Sequence, residues 1–179
     1  MAIYQIDSEH TAAHFKVRHM MISNVKGEFS GITGRIEFDP ANVAASRIEA
    51  VINAASVSTR EPQRDRHLRS ADFLDVARYP QLIFRSTSIA SSRDHSYEVI
   101  GELTIRGETR PVLLHVDSLT PEIKDPDGFL RRGASAMVRI DRRDFGLMWN
   151  AVLESGGFVV GDDVEITIDL EMVRPASTH

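Results

Sequence analysis

At 179 residues, with 42% hydrophobic and 26% charged positions, the chain has the size and make-up of one soluble globular domain, which excludes disorder, collagen and disulfide scaffolds. Cysteine is absent, so thiol nucleophiles, thiolate metal sites and disulfides are excluded together. The formal charge of −5, from 21 basic and 26 acidic residues, speaks against a nucleic-acid footprint.

The opening residues Met1 to Asp7 carry neither a basic leader nor the continuous apolar stretch of a signal peptide. Every later apolar run is interrupted by Arg, Asp or Glu, short of the ~18 apolar residues a membrane-spanning helix needs. A cytoplasmic protein without a membrane-spanning segment is expected. Period-two alternation then dominates, as it does when successive strand residues point to opposite faces of a sheet. Ala13, Phe15 and Val17 alternate with His14, Lys16 and Arg18. Val25, Gly27, Phe29 and Gly31 hold odd positions, whereas Ile32, Gly34, Ile36 and Phe38 hold even ones. This phase change predicts a bulge near Gly31, with two short strands and a kink as the alternative. Turn chemistry at Asp39-Pro40-Ala41-Asn42 leads into a strand from Arg47 to Val57.

The stretch from Thr59 to Ala77 lacks strand alternation and predicts one or two short helices, closed by Pro80. Alternation resumes at Val99, Leu103 and Ile105, at Val112, Leu114 and Val116, at Ala134, Ala136, Val138 and Ile140, and from Val164 to Met172. Turns are expected at Ser91 to Asp94, Arg106 to Glu108 and Asp125 to Gly128. Phe29, Phe38, Phe84, Phe145, Met148, Trp149 and Phe158 all read as strand-borne. The chain is expected to be one domain over residues 1–174, followed by a frayed tail at 175–179. About eight strands close into a barrel that is either filled by side chains or holds one small ligand.

Chemistry-bearing groups are sparse. His10, His14 and His19 invite a metal reading, but residues four apart on a strand sit ~13 Å from one another and residues five apart face opposite ways. Such spacing cannot supply one zinc with ligands at ~2.1 Å. His19 shares a face with Phe15 and Val17, where a buried imidazole needs a partner. Asp144-Phe145-Gly146 lacks the companions of a kinase, and Leu153-Glu154-Ser155-Gly156-Gly157 lacks the first glycine of a nucleophile elbow. The basic stretch from Arg60 to Arg69 could hold an anion, or its Arg and Asp side chains could satisfy each other.

The order Asp7-x-x-His10, Phe15-x-x-x-His19, Gly27-x-Phe29, Arg64-Asp65-x-His67-Leu68, Asp72-Phe73, Tyr79-Pro80-x-x-x-Phe84, Gly101-x-Leu103-Thr104-x-x-Gly107 and Arg143-Asp144-Phe145-Gly146 resembles the YceI-like family over nearly the whole chain. The resemblance implies an all-β fold: an extended antiparallel eight-stranded lipocalin-like β-barrel, here with one short helical insertion at about 60–77. It further implies a homodimer that binds a polyisoprenoid or quinone-like lipid in its lumen, with no catalysis, metal or cofactor. Several such proteins are exported, which the opening residues here do not suggest.

Carried onto this chain, the resemblance gives Phe15, Val17, Phe29, Phe84, Leu103, Ile105, Phe145 and Trp149 as the expected lumen lining, with His19 beside them and Arg143 or Arg64 meeting a polar head. In the structural alternative, Arg64 and Asp65 pin the insertion and Arg143 pairs with a carboxylate. An enzyme acting on an isoprenoid or another small apolar substrate through His19, Arg64 and Arg143, and a solidly filled barrel, are the competing functional readings.

Overall fold

The structure, a computed structural model, describes residues 1–93 and 95–176. Its strands are β1 (Ala2–Ile6), β2 (Ala12–His19), β3 (Ser23–Phe29), β4 (Ile32–Phe38), β5 (Arg47–Asn53), β6 (Gln81–Arg93), β7 (Ser96–Ile105), β8 (Glu108–Asp117), β9 (Ile123–Lys124), β10 (Phe129–Asp141) and β11 (Val160–Pro175), with one α-helix, α1 (Pro62–Arg69). All pairings are antiparallel, and the hydrogen-bonded order is β3-β2-β11-β1-β4-β5-β6-β7-β8-β10-β9. A long ladder from Phe129↔Pro175 to Asp141↔Asp163 joins β10 to β11 and closes the sheet on itself. The other edge of β11 takes β1 near Met172 and Val173, then β2 from Asp169 to Val160. Because β4 pairs with β1 and β3 with β2, these four segments act as two long bent staves. The closed ring therefore has eight staves, as expected from the sequence.

The phase change falls where the alternation places it, but it is a break between β3 and β4 rather than a bulge within one strand. The backbone N–H groups of Ser30 and Gly31 each donate to Ser56 Oγ at 3.2 Å, so the residues that leave the ladder still have acceptors. β11 runs on to Pro175, which pairs with Phe129, so the strand reaches into the stretch expected to be frayed. Residues 177–179 of that tail, and Asp94 of the expected 91–94 turn, lie outside the described residues. Ser91 to Arg93 belong to β6 instead.

One helix forms in the insertion, not two. Pro62 occupies its first turn, and the Glu61 carboxylate accepts the N–H groups of Gln63 at 3.1 Å and Arg64 at 2.5 Å. Two otherwise orphaned donors are thus satisfied, and proline loses nothing at a position whose N–H has no helical partner. Turns follow to Tyr79. The helix lies at the barrel end where β5 stops and β6 begins.

The opposite end is closed by side chains. Phe38 and Tyr97 meet edge to face with ring centroids 5.8 Å apart, and Leu119 is buried beside them. Beyond these, Tyr4 donates to Glu122 at 2.5 Å and accepts from Arg132 Nε at 3.1 Å, while Arg174 grips both Glu122 oxygens at 2.9 Å. The Arg174 fork holds the Glu122 carboxyl below the usual carboxylate range. Asp125 is lowered in the same sense by Arg131. A carboxyl whose pKa is lower folded than unfolded stabilises the fold above its unfolded value, and that stability is lost as pH falls through the folded one. The melting temperature is therefore expected to hold from neutral pH to ~4.5 and to fall below it. In Glu122→Gln the midpoint is lower at pH 7 and the acid-side fall is shallower, which thermal melts across that range check.

Candidate ligand-binding cavity

The alternation that closes the barrel also decides what faces its axis. β11 turns Val164, Ile166 and Ile168 inward, β10 turns Ala134, Ala136 and Val138 inward, and β6 and β7 contribute Phe84, Leu103 and Ile105. These side chains do not meet in the middle. They surround a cavity of about 440 Å³ whose wall is almost entirely apolar, within the range of small-molecule sites and too apolar to hold ordered water.

Two glycines help keep the lumen open. A Cβ at Gly27 would lie 2.4 Å from Cζ of Phe15 on the paired strand, and one at Gly101 would lie 2.4 Å from Cζ of Phe84. Each ring thus lies against the wall over a residue without a side chain, instead of projecting into the void. The inward series Val99, Gly101, Leu103 and Ile105 therefore lines the lumen with one gap into which Phe84 fits.

At the helix end, aromatic rings border the cavity. The His67 ring stands edge-on to Trp149 at 4.6 Å and to Phe73 at 5.0 Å between centroids. Its Nε2 is 2.8 Å from the Asp72 carboxylate, which fixes the ring's orientation. Asp65 is buried and accepts from Thr59 N at 2.8 Å and Thr59 Oγ1 at 2.6 Å. Arg64 closes the same knot, donating to Thr59 Oγ1 at 2.7 Å and to Thr59 O at 3.0 Å. Of the two readings of this motif, the arrangement matches the structural one, in which the residues pin the helix, although Arg64 also borders the cavity.

Of the expected site residues, Phe15, Val17, His19, Phe29, Phe84, Leu103, Ile105 and Trp149 all line the void. Phe145 and Arg143 do not. Phe145 lies in a 3-10 turn, Arg142–Phe145, where its ring is 1% exposed and packed into the core. Arg143 points outward, and its guanidinium meets Asp141 at 2.7 Å and Asp162 at 3.5 Å. His19 is only partly buried, so the need for a buried imidazole partner lapses. The segment from Gly146 to Val159, expected as strand, is irregular apart from one bridge between Val152 and Phe158. Met148 and Phe158 are exposed there.

The sequence reading missed Arg142. This guanidinium is 3% exposed and donates to four main-chain carbonyls: Gly161 at 2.8 Å, Leu147 at 2.5 Å, Trp149 at 2.9 Å and Val160 at 3.3 Å. Burial pushes its pKa down, while Asp162 and Asp141 oppose that shift. It borders the cavity and ties the irregular segment to β11.

The three histidines of the metal reading are not gathered together. Asp7, His10 and Glu171 do converge, but Arg131 Nη1 already sits between Asp7 Oδ2 and Glu171 Oε1, at 2.6 Å from each. A guanidinium there supplies the positive charge those carboxylates require.

A family model described as YceI-like domain matches residues 4–172. A UPF0312 protein of Yersinia pestis is 40% identical over 175 residues, covering 97% of this chain and 87% of its own. Among solved structures, Burkholderia cenocepacia BcnA superposes with a TM-score of 0.80 at 23% identity, covering 93% of this chain and 98% of its own. A polyisoprenoid binding domain from Saccharophagus degradans, implicated in plant cell wall breakdown, gives 0.70 at 17% identity, over 96% and 98% of the two chains.

Proposed function

This chain belongs to the YceI-like domain family, and we propose that it binds, stores or transports a long apolar isoprenoid-type lipid, polyprenyl or quinone-like, in its barrel lumen without chemical turnover. One observation carries the reading: the 440 Å³ void is walled almost wholly by apolar groups. Each CH₂ taken from water into such a lining contributes ~0.8 kcal/mol. A tail of about twenty carbons gains roughly 16 kcal/mol gross, which exceeds the ordering and association costs of about 4–15 kcal/mol across most of their range. The polar head lies toward the helix end, where the basic side chains of Arg18, Arg64 and Arg142 border the void together with His19 and His67.

Kinship of fold with a polyisoprenoid binding domain supports the choice of ligand class. Two of the three side chains that an enzymatic reading would use are engaged elsewhere, Arg64 with Thr59 and Arg143 with Asp141, which supports binding over turnover. Among the described residues no helix is long and apolar enough to cross a membrane. The reading includes pairing of two copies, which sedimentation measures directly.

Native mass spectrometry of the purified protein, followed by organic extraction, is the test. A co-purified isoprenoid, or one-to-one uptake of geranylgeraniol by protein stripped of lipid, is expected. A protein that is empty and takes up none overturns the reading.

A further inference from the structure

Six of the thirteen exposed large apolar side chains among the described residues cluster at one end of the barrel. Met20, Met21 and Ile22 form the turn between β2 and β3, and Met148, Val152 and Phe158 project from the irregular segment before β11; their exposures run from 40% to 77%. The two segments touch: Met20 N donates to Val159 O at 2.7 Å, and a Cβ on Gly157 would lie 2.2 Å from Met21 Sδ. Each group adjoins a residue that lines the void, namely His19, Trp149 and Val159. The patch is therefore the rim of the cavity. Of the 22 residues in 19–25 and 146–160, only Glu154 carries a full charge, in a chain that is 26% charged.

Two further features define what this rim can meet. Met20 and Met21 hold left-handed backbone, with φ of 50° and 61°, a costly conformation for such side chains that marks a turn held in place by its surroundings. The tips also satisfy their own backbone: Ile22 N donates to His19 O, Gly156 N to Leu153 O, Leu153 N to Gly157 O and Val159 N to Ala151 O. A protein interface would use free polar groups at its edge, typically about ten hydrogen bonds across the contact. An acyl-chain environment instead requires apolar tips, few charges and backbone groups paired within the segment.

We propose that this rim docks on the surface of a lipid bilayer, with the tips of 20–22 and 148–158 entering the headgroup–acyl boundary so that an apolar ligand passes between membrane and lumen without crossing water. The inference rests on the lumen-binding reading above and adds the route by which the ligand arrives. The fixed charges at the tips are Glu154 and the Arg18 guanidinium, which donates to Met21 O at 3.1 Å; they are opposite in sign, so docking depends on apolar burial and vesicles of phosphatidylcholine alone suffice.

Flotation of the full chain with phosphatidylcholine vesicles tests the proposal. Trp149 is the only tryptophan and stands at the rim, so lipids with brominated chains are expected to quench its fluorescence. The double variant Ile22→Asp, Val152→Asp is expected to lower vesicle partitioning roughly tenfold or more, since a carboxylate is strongly disfavoured there. Ile123→Asp, at a residue 63% exposed at the other end of the barrel, is expected to leave it unchanged. Geranylgeraniol delivered from ethanol is expected to bind the double variant as it binds the wild type, which separates failure of docking from failure of lumen binding. Absence of flotation, an equal loss in Ile123→Asp, or a dimer that the double variant turns into a monomer without any vesicle binding would overturn docking.

Discussion

Arg142→Ala is expected to destabilise the fold by about 3–5 kcal/mol, the cost of opening a buried charged network by removing one partner. At ~2–4 °C per kcal/mol for a domain of this size, the thermal midpoint drops by roughly 10 °C. The carbonyls of Leu147, Trp149 and Gly161 lose the Arg142 donor at once, while Val160 O keeps the Asn150 amide at 2.7 Å, and no single water replaces a planar fork that reaches all of them. Arg142→Lys recovers little of the loss, because an ammonium is a point donor on a flexible stem. Arg143→Ala, one residue on, is expected to leave the midpoint nearly unchanged: its ion pair with Asp141 is half-exposed and screened. Differential scanning calorimetry of the three variants separates the two arginines. Equal melting of Arg142→Ala and wild type would show that the guanidinium does not hold the rim segment.

The contrast between these neighbours shows what the sequence made legible. Ala134, Ala136, Val138 and Ile140 form an inward series, and Arg142 is its next member. The signal was present in the phase, but a basic residue beside Arg143 and Asp144 reads as surface. Of the eight residues expected to line the lumen, the six that lie on strands, Phe15, Val17, Phe29, Phe84, Leu103 and Ile105, all border the void, because the side-chain period of a strand is two whatever the tertiary context. Phase failed where the chain leaves the strand: Phe145 sits in a 3-10 turn that redirects its ring into the core, and Gly146 to Val159 carry apolar residues without a ladder. Those residues are apolar for a reason other than strand burial, so periodicity had no purchase on them. Whether the lumen was open or filled was likewise beyond alternation. It depends on which rings lie over Gly27 and Gly101, a cross-strand relation that requires the register.

Ala136→Trp is expected to reduce lipid binding about a hundredfold or more while leaving the barrel intact. Ala136 pairs with Ile168 on one side and Val116 on the other, so its backbone is fixed on both edges and its Cβ can only project into the void. An indole entering there meets empty space rather than packed atoms, and it buries area that would otherwise be cavity wall. Thermal stability is therefore expected to stay level or rise, unlike the usual result of overpacking a filled core. Geranylgeraniol titration and a melting curve on the same sample give both readouts. Wild-type affinity in a folded Ala136→Trp would place the ligand outside the lumen. Lost affinity with raised stability is the signature of a ligand and a side chain competing for one apolar space, because only a true void rewards filling and penalises binding together.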